Sequence, residues 1–133
     1  MNTTHFLNRV AGNLFGTAKT PALPTTYYIG LSTTAPTAAG GNVSEPASSA
    51  GYKRVALTNL SAPANGVVSN TSNISFTEST ANWGTITHFV IYDAATGGNL
   101  LMYGALTAPR TVEADTVMII RQGYLKLSAQ DPS

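Results

Sequence analysis

The chain contains no cysteine. That absence excludes disulfides, thiolate zinc sites and a thiol nucleophile, and it leaves the redox compartment open. Charge is the second scarcity. Asp, Glu, Lys and Arg together make up 10% of the residues, against about 25% in ordinary soluble proteins. Seven basic and six acidic side chains leave a net charge of +1. The cations Arg9, Lys19, Lys53, Arg54, Arg110, Arg121 and Lys126 are scattered, so no clustered footprint for nucleic acid exists. Only Lys53 and Arg54 are adjacent, and on a strand they point to opposite faces. The two histidines, His5 and His88, supply no metal-ligand spacing. No apolar run approaches the roughly 18 residues of a membrane-spanning helix. Residues 1–16 lack the basic start and continuous apolar stretch of a signal peptide. The expectation is a protein without membrane insertion, made without export and reaching the outside of a cell only by lysis or on a particle.

What fills the chain instead is Thr, Ser, Asn, Ala and Gly, with 43% hydrophobic residues over 133 positions. That length suits one domain with its own core. A neutral Thr/Ser/Asn surface has little charge to desolvate against another protein or a sugar. Five Asn-x-Ser/Thr sequons, at Asn2, Asn42, Asn59, Asn70 and Asn73, are a by-product of this richness in a chain without a secretion signal.

Residues 3–16, TTHFLNRVAGNLFG, have helical periodicity. Phe6, Val10 and Leu14 form one row, and Leu7, Ala11 and Phe15 form the next. Thr3 or Thr4 suits the N-cap, and Gly16 suits a left-handed end. About three turns are marginal alone, so this helix must dock on something. Residues 17–26 form a linker containing Pro21 and Pro24. Residues 33–50, TTAPTAAGGNVSEPASSA, form a long polar loop, expected to be mobile. Short strands are expected at 26–32, 51–60, 66–70, 73–79, 84–93, 99–106, 116–122 and 123–128. Turn signals separate them at 63–66, Gly97-Gly98, Ala108-Pro109 and 113–115. This rhythm implies a mainly β, single-domain antiparallel β-sandwich, jelly-roll-like, with one N-terminal α-helix. Its units are the helix at 1–16, the linker at 17–26, the sandwich at 27–128 and a tail at 129–133. The expected core is Tyr28, Leu31, Val55, Leu57, Ile74, Phe76, Ile86, Phe89, Ile91, Leu101, Leu106, Val117, Ile119, Leu125 and Leu127. Trp83 is expected to close one end of it.

The stretch WGTITHFVIYDAATGGNLLMYG, residues 83–104, holds the residues most suggestive of chemistry. Two continuous apolar runs flank DAATGGN, which reads as a central hairpin covered on both faces. His88 and Asp93 lie five positions apart and leave opposite faces of a regular strand. Asp93 is better used bonding its own turn backbone. Gly97-Gly98 is followed by a strand, where a phosphate loop needs a helix N-terminus. Glu113 and Asp115 sit together in a turn, and no Asp-rich calcium spacing surrounds them. No nucleophile elbow is present. The expectation is a protein without catalytic residues, metal or cofactor.

The order helix, GLSTTAPT, GY-x-R, ISFTES, NWGTITHF, IYDAATGGNLL and YGAL resembles a family of small structural proteins of tailed bacteriophages and prophages. Its members are usually labelled tail fibre or minor tail proteins. The resemblance runs from about Phe6 to Ser128 and is most specific from Trp83 to Gly104. It implies a non-enzymatic virion component, assembled in the bacterial host cytoplasm and released by lysis. The expected role is a tail fibre, tail-tip or baseplate module contacting a host surface glycan. A capsid decoration or head-fibre protein is the alternative, with the helix and linker gripping the particle. Expected partners are other copies of the chain, as a trimer, and other virion proteins. The candidate docking face is Phe6, Leu7, Val10, Leu14 and Phe15. The candidate contact loop is Thr37, Asn42, Val43 and Glu45.

Overall fold

The structure, a computed structural model, describes residues 2–16, 26–62, 64 and 67–128. The expected linker, apart from Thr26, and the tail lie outside the described residues.

Helix α1 (Thr4–Phe15) begins and ends where its caps dictate. The Thr3 hydroxyl accepts from the Phe6 N–H at 3.3 Å, and Gly16 closes the helix at φ 71°. Only the first half of the expected apolar face docks. Phe6 is buried and meets Tyr27 edge to face, with ring centroids 6.3 Å apart. Val10 packs at the edge of the core. Leu14 and Phe15 remain 71% and 74% exposed.

Eight strands follow among the described residues: β1 (Tyr27–Ser32), β2 (Val55–Leu57), β3 (Val67–Ser69), β4 (Ile74–Ser75), β5 (Gly84–Tyr92), β6 (Leu100–Val112), β7 (Ile119–Ile120) and β8 (Lys126–Ser128). All pairings are antiparallel. A four-stranded sheet has the order β2-β1-β5-β6, and two short ladders pair β3 with β8 and β4 with β7. Each expected strand has a counterpart, several of them shorter. The fold is mainly β with one α-helix among the described residues, as expected.

One hydrophobic cluster joins the layers. Ile29, Leu31, Ile86, Ile91 and Leu101 from the sheet meet Phe76, Ile120 and Leu125 from the ladder side. Trp83 closes it as expected. Its Nε1–H donates to the Ala50 carbonyl at 2.9 Å, and its ring meets Tyr52 edge to face. The opposite face of the sheet carries a smaller cluster of Val90, Tyr92, Leu100 and Tyr103, with Val43 against it. The 83–104 hairpin is therefore covered on both faces where its apolar runs are continuous.

Two expectations fail in instructive ways. Ala108-Pro109 does not end a strand, because β6 continues to Val112. From Ile86 to His88 the register advances two residues along β5 but five along β6, from Arg110 to Ala105. The extra residues bulge out of the ladder. β6 is an edge strand, and an edge bulge is where a sheet tolerates proline. The second failure is one of phase. Val117 and Ile119 are 46% and 39% exposed, while Met118 and Ile120 are buried. In the run TVMII both alternations are apolar, so the pattern does not choose a face, and a one-residue slip exchanges every side chain. Tyr28 is likewise only half-buried, and its neighbour Ile29 takes the core position.

Candidate functional site

Three polar segments are tied to one another around the four-stranded sheet: the start of α1, the 33–50 loop, which lies over one sheet face, and the β5–β6 turn. The Thr4 N–H donates to the Ala38 carbonyl at 2.9 Å, tying helix to loop. The Thr3 N–H and hydroxyl bond the Leu101 and Leu100 carbonyls at 2.8 Å and 2.7 Å, tying helix to β6.

The 33–50 loop has structure of its own. Its limbs are stitched by the Thr33 N–H to the Ser44 carbonyl at 2.9 Å and the Thr34 hydroxyl to the Asn42 carbonyl at 2.6 Å. Asn42 sits at φ 60° and returns its Nδ2 to the Ala35 carbonyl at 2.7 Å. Asn tolerates this left-handed conformation better than most residues. Of the candidate contact residues, Thr37 and Asn42 are exposed at the tip. Val43 packs under the second cluster, and Glu45 points inward.

Glu45 belongs to a dense polar network. It takes Arg54 in a two-pronged pair, Nη2 to Oε1 at 2.7 Å and Nε to Oε2 at 3.0 Å. Arg54 Nη1 reaches the Ala94 and Gly97 carbonyls, both at 2.8 Å. Its guanidinium lies 3.6 Å above the Tyr92 ring centroid. Burial disfavours the Arg54 cation, but Glu45, with Tyr92 and Tyr52 adding to it, reverses this and raises its pKa. The Tyr52 hydroxyl donates to Glu45 and accepts the Leu31 N–H at 3.0 Å. Burial, reinforced by that carboxylate, pushes the Tyr52 phenol well above its ordinary value. One arginine thus holds the loop, the sheet and the turn together.

A second arginine holds the turn to the helix. Arg9 Nη1 meets Asp93 Oδ2 at 2.9 Å. Asp93 also accepts the Asn99 N–H at 2.8 Å, the expected turn role. Burial alone would raise the Asp93 pKa, but the Asn99 amide and the Arg9 cation bring it below the ordinary value. Gly98 takes φ 74° here, and a Cβ on it would fall 2.4 Å from Asp93 Oδ1. His88 is remote from Asp93 in function. Its Nδ1 pairs with the Thr87 hydroxyl at 2.8 Å, and burial lowers its pKa. Among the described residues no group of three or more His, Asp or Glu side chains is placed to hold a metal ion.

The tied segments therefore offer neutral polarity to the surface. Thr37, Ala39, Gly41, Asn42, Ala95 and Thr96 are exposed on a frame locked from behind by two buried or half-buried ion pairs. Sequence reasoning missed both pairs. The available signal was arithmetic: with only six acids in the chain, two in or beside loops flanked by apolar strands were natural partners for buried arginines.

A family model for podophage GP4 fiber I protein gp80 matches residues 2–128. The chain belongs to this podophage fibre family. The matched span takes in α1, all eight strands and both ion pairs. The resemblance to phage tail-fibre and minor tail proteins stands, and the protein is a fibre-type structural component of a phage. No curated protein matches the chain.

Proposed function

We propose that this fibre-family protein acts as a tail fibre, tail-tip or baseplate module whose loop end, around Thr37, Asn42 and Thr96, meets the host surface. The observation that carries this reading is the fibre-family match over almost the whole chain, joined to a neutral, exposed loop cluster on a rigid frame. Rigid presentation lowers the ordering cost of binding a polymer such as a surface glycan. The experiment is adsorption competition. Purified protein added to host cells before phage should lower adsorption several-fold, and Ala39→Arg with Thr96→Arg should remove the effect. Undiminished adsorption would end the host-contact reading and leave a structural role.

A second reading, a head fibre or capsid decoration, is favoured by Leu14 and Phe15, both exposed at the end of α1. Such a side-chain pair is a natural hydrophobic anchor on a particle. Thr3 and Phe6 are part of the fold, so the test keeps the start of the helix. Leu14→Ser with Phe15→Ser is the clean variant. Loss of the protein from otherwise intact heads would support that reading.

A further inference from the structure

The chain has four arginines, and the fold uses two of them. Arg9 and Arg54 are held in ion pairs with Asp93 and Glu45. The other two, Arg110 and Arg121, are exposed and make no ion pair among the described residues. They meet at one groove, between β6 and the β7 segment. Two adjoining hollows form it, and both arginines line each of them. No described acidic side chain lines either hollow. The rest of the polar lining is neutral: Asn73, Thr107, Thr111, Thr116 and Tyr124.

Both walls of the groove are fixed by the backbone. Arg110 is the first residue of β6 to rejoin the ladder after the bulge, opposite Ile86. On the other wall, Asn70 is buried and clasps the turn that follows β7. Its Nδ2 donates to the Arg121 carbonyl at 2.9 Å, and its Oδ1 accepts the Leu125 N–H at 3.0 Å. Its backbone carbonyl accepts the Gly123 N–H at 3.0 Å, and its own N–H donates to the Leu125 carbonyl at 3.3 Å. The turn held in this way carries Arg121 and Tyr124. Tyr124 lines the groove beside the arginines and is 68% exposed. A tyrosine left in water adds little of its large area to the core, so the fold does not account for it.

We infer that this groove binds a carboxylated sugar unit of an acidic polysaccharide. Each arginine presents a planar fork that matches a carboxylate. Tyr124, Val117 and Ile119 offer exposed apolar surface to the C–H face of a sugar ring, and the threonine hydroxyls and the Asn73 amide suit its hydroxyl groups. A small inorganic anion would use the arginines and leave the apolar lining in water. A densely charged polymer fits poorly, because Glu113 and Asp115 are exposed on the neighbouring turn and nucleic acid calls for a longer run of cations. A ligand with one charge on a ring meets both conditions. The fixed backbone lowers the ordering cost of binding it. The inference goes beyond the host-contact reading, since no residue lining the groove belongs to the 33–50 loop or the β5–β6 turn.

NMR titration of the isotope-labelled full chain tests it. The probes are short oligomers of galacturonate, alginate and hyaluronan, together with sialyllactose. At least one of them should shift the amide signals of Thr107, Thr111, Ile119 and Tyr124 together, and the binding should weaken as salt rises. Arg110→Gln and Arg121→Gln should each weaken it about fivefold or more. Tyr124→Ala should weaken it without removing the salt dependence. The methyl ester of the binding sugar, which lacks the charge, should not bind. Unchanged melting confirms that the variants fold. No shift with any of these probes, shifts confined to residues outside the groove, equal binding of the methyl ester, or indifference to both arginine variants would each overturn the inference. So would tighter binding of a glutamate peptide or a heparin fragment, which would assign the groove to an acidic protein segment or a densely charged polymer. Adsorption competition is read through Ala39 and Thr96, so failure at the groove leaves the host-contact reading standing.

Discussion

Arg54 lies 3.6 Å above the ring of Tyr92 while gripping Glu45 with two of its nitrogens. This single side chain makes four hydrogen bonds and fixes the 33–50 loop to the β5–β6 turn. Lysine cannot reproduce the fork or the stacking. Removing one partner of a buried ion pair leaves the other uncompensated, which costs about 3–5 kcal/mol. Arg54→Ala should fall near the low end of that range, because the Glu45 side chain keeps 20% exposure. Arg54→Lys should recover only a minority of the loss. Urea denaturation measures both.

Asp93 sets the acid response of the same turn. Its folded pKa lies below the ordinary 3.8. A carboxylate depressed on folding adds stability above its unfolded pKa and loses it as pH falls through the folded value. Wild type should therefore exceed Asp93→Asn in stability at neutral pH. The gap should narrow as pH drops from about 4 downward. A gap that is constant across that window would mean the charge on Asp93 is not what stabilises the turn.

Gly104 sits opposite Phe89, and a Cβ there would fall 2.6 Å from the Phe89 ring. Gly104→Ala should cost about 1–3 kcal/mol by overpacking. Combined with Phe89→Leu the losses should not add, because the smaller side chain leaves room for the methyl. Thermal melts of the four proteins in the cycle give the coupling.

The β7 segment predicts opposite effects at neighbouring positions. Ile120→Ala should cost about 2–5 kcal/mol as a core truncation. Ile119→Ser should change the stability of the isolated chain by under about 0.5 kcal/mol. Equal losses at both would contradict the observed phase of this strand.

That phase is not encoded in the residue types of the segment itself. The helix was readable because Thr3 and Gly16 are local signals that act within a turn of where they stand. The role of Asp93 was readable for the same reason, since Asn99 lies just along the loop. Val117 and Ile119 face outward although TVMII is apolar in both alternations, because only the neighbouring strand decides which side faces inward. Pro109 read as a strand end because proline is a turn signal, yet an edge bulge accommodates it equally well. Arg9 and Asp93 are 84 positions apart, and no local pattern announces such a pair. Of the candidate contact residues, Thr37 and Asn42 are exposed, while Val43 and Glu45 serve the frame beneath them.

The most direct test of the account is the protein's place on the particle. Purified virions should contain the chain by mass spectrometry, and immunogold labelling in the electron microscope should mark tail-associated fibres or the tail tip. Label over the head would move the protein to the decoration reading. A chain abundant in the lysate but absent from purified virions by both methods would contradict its role as a fibre-type virion component.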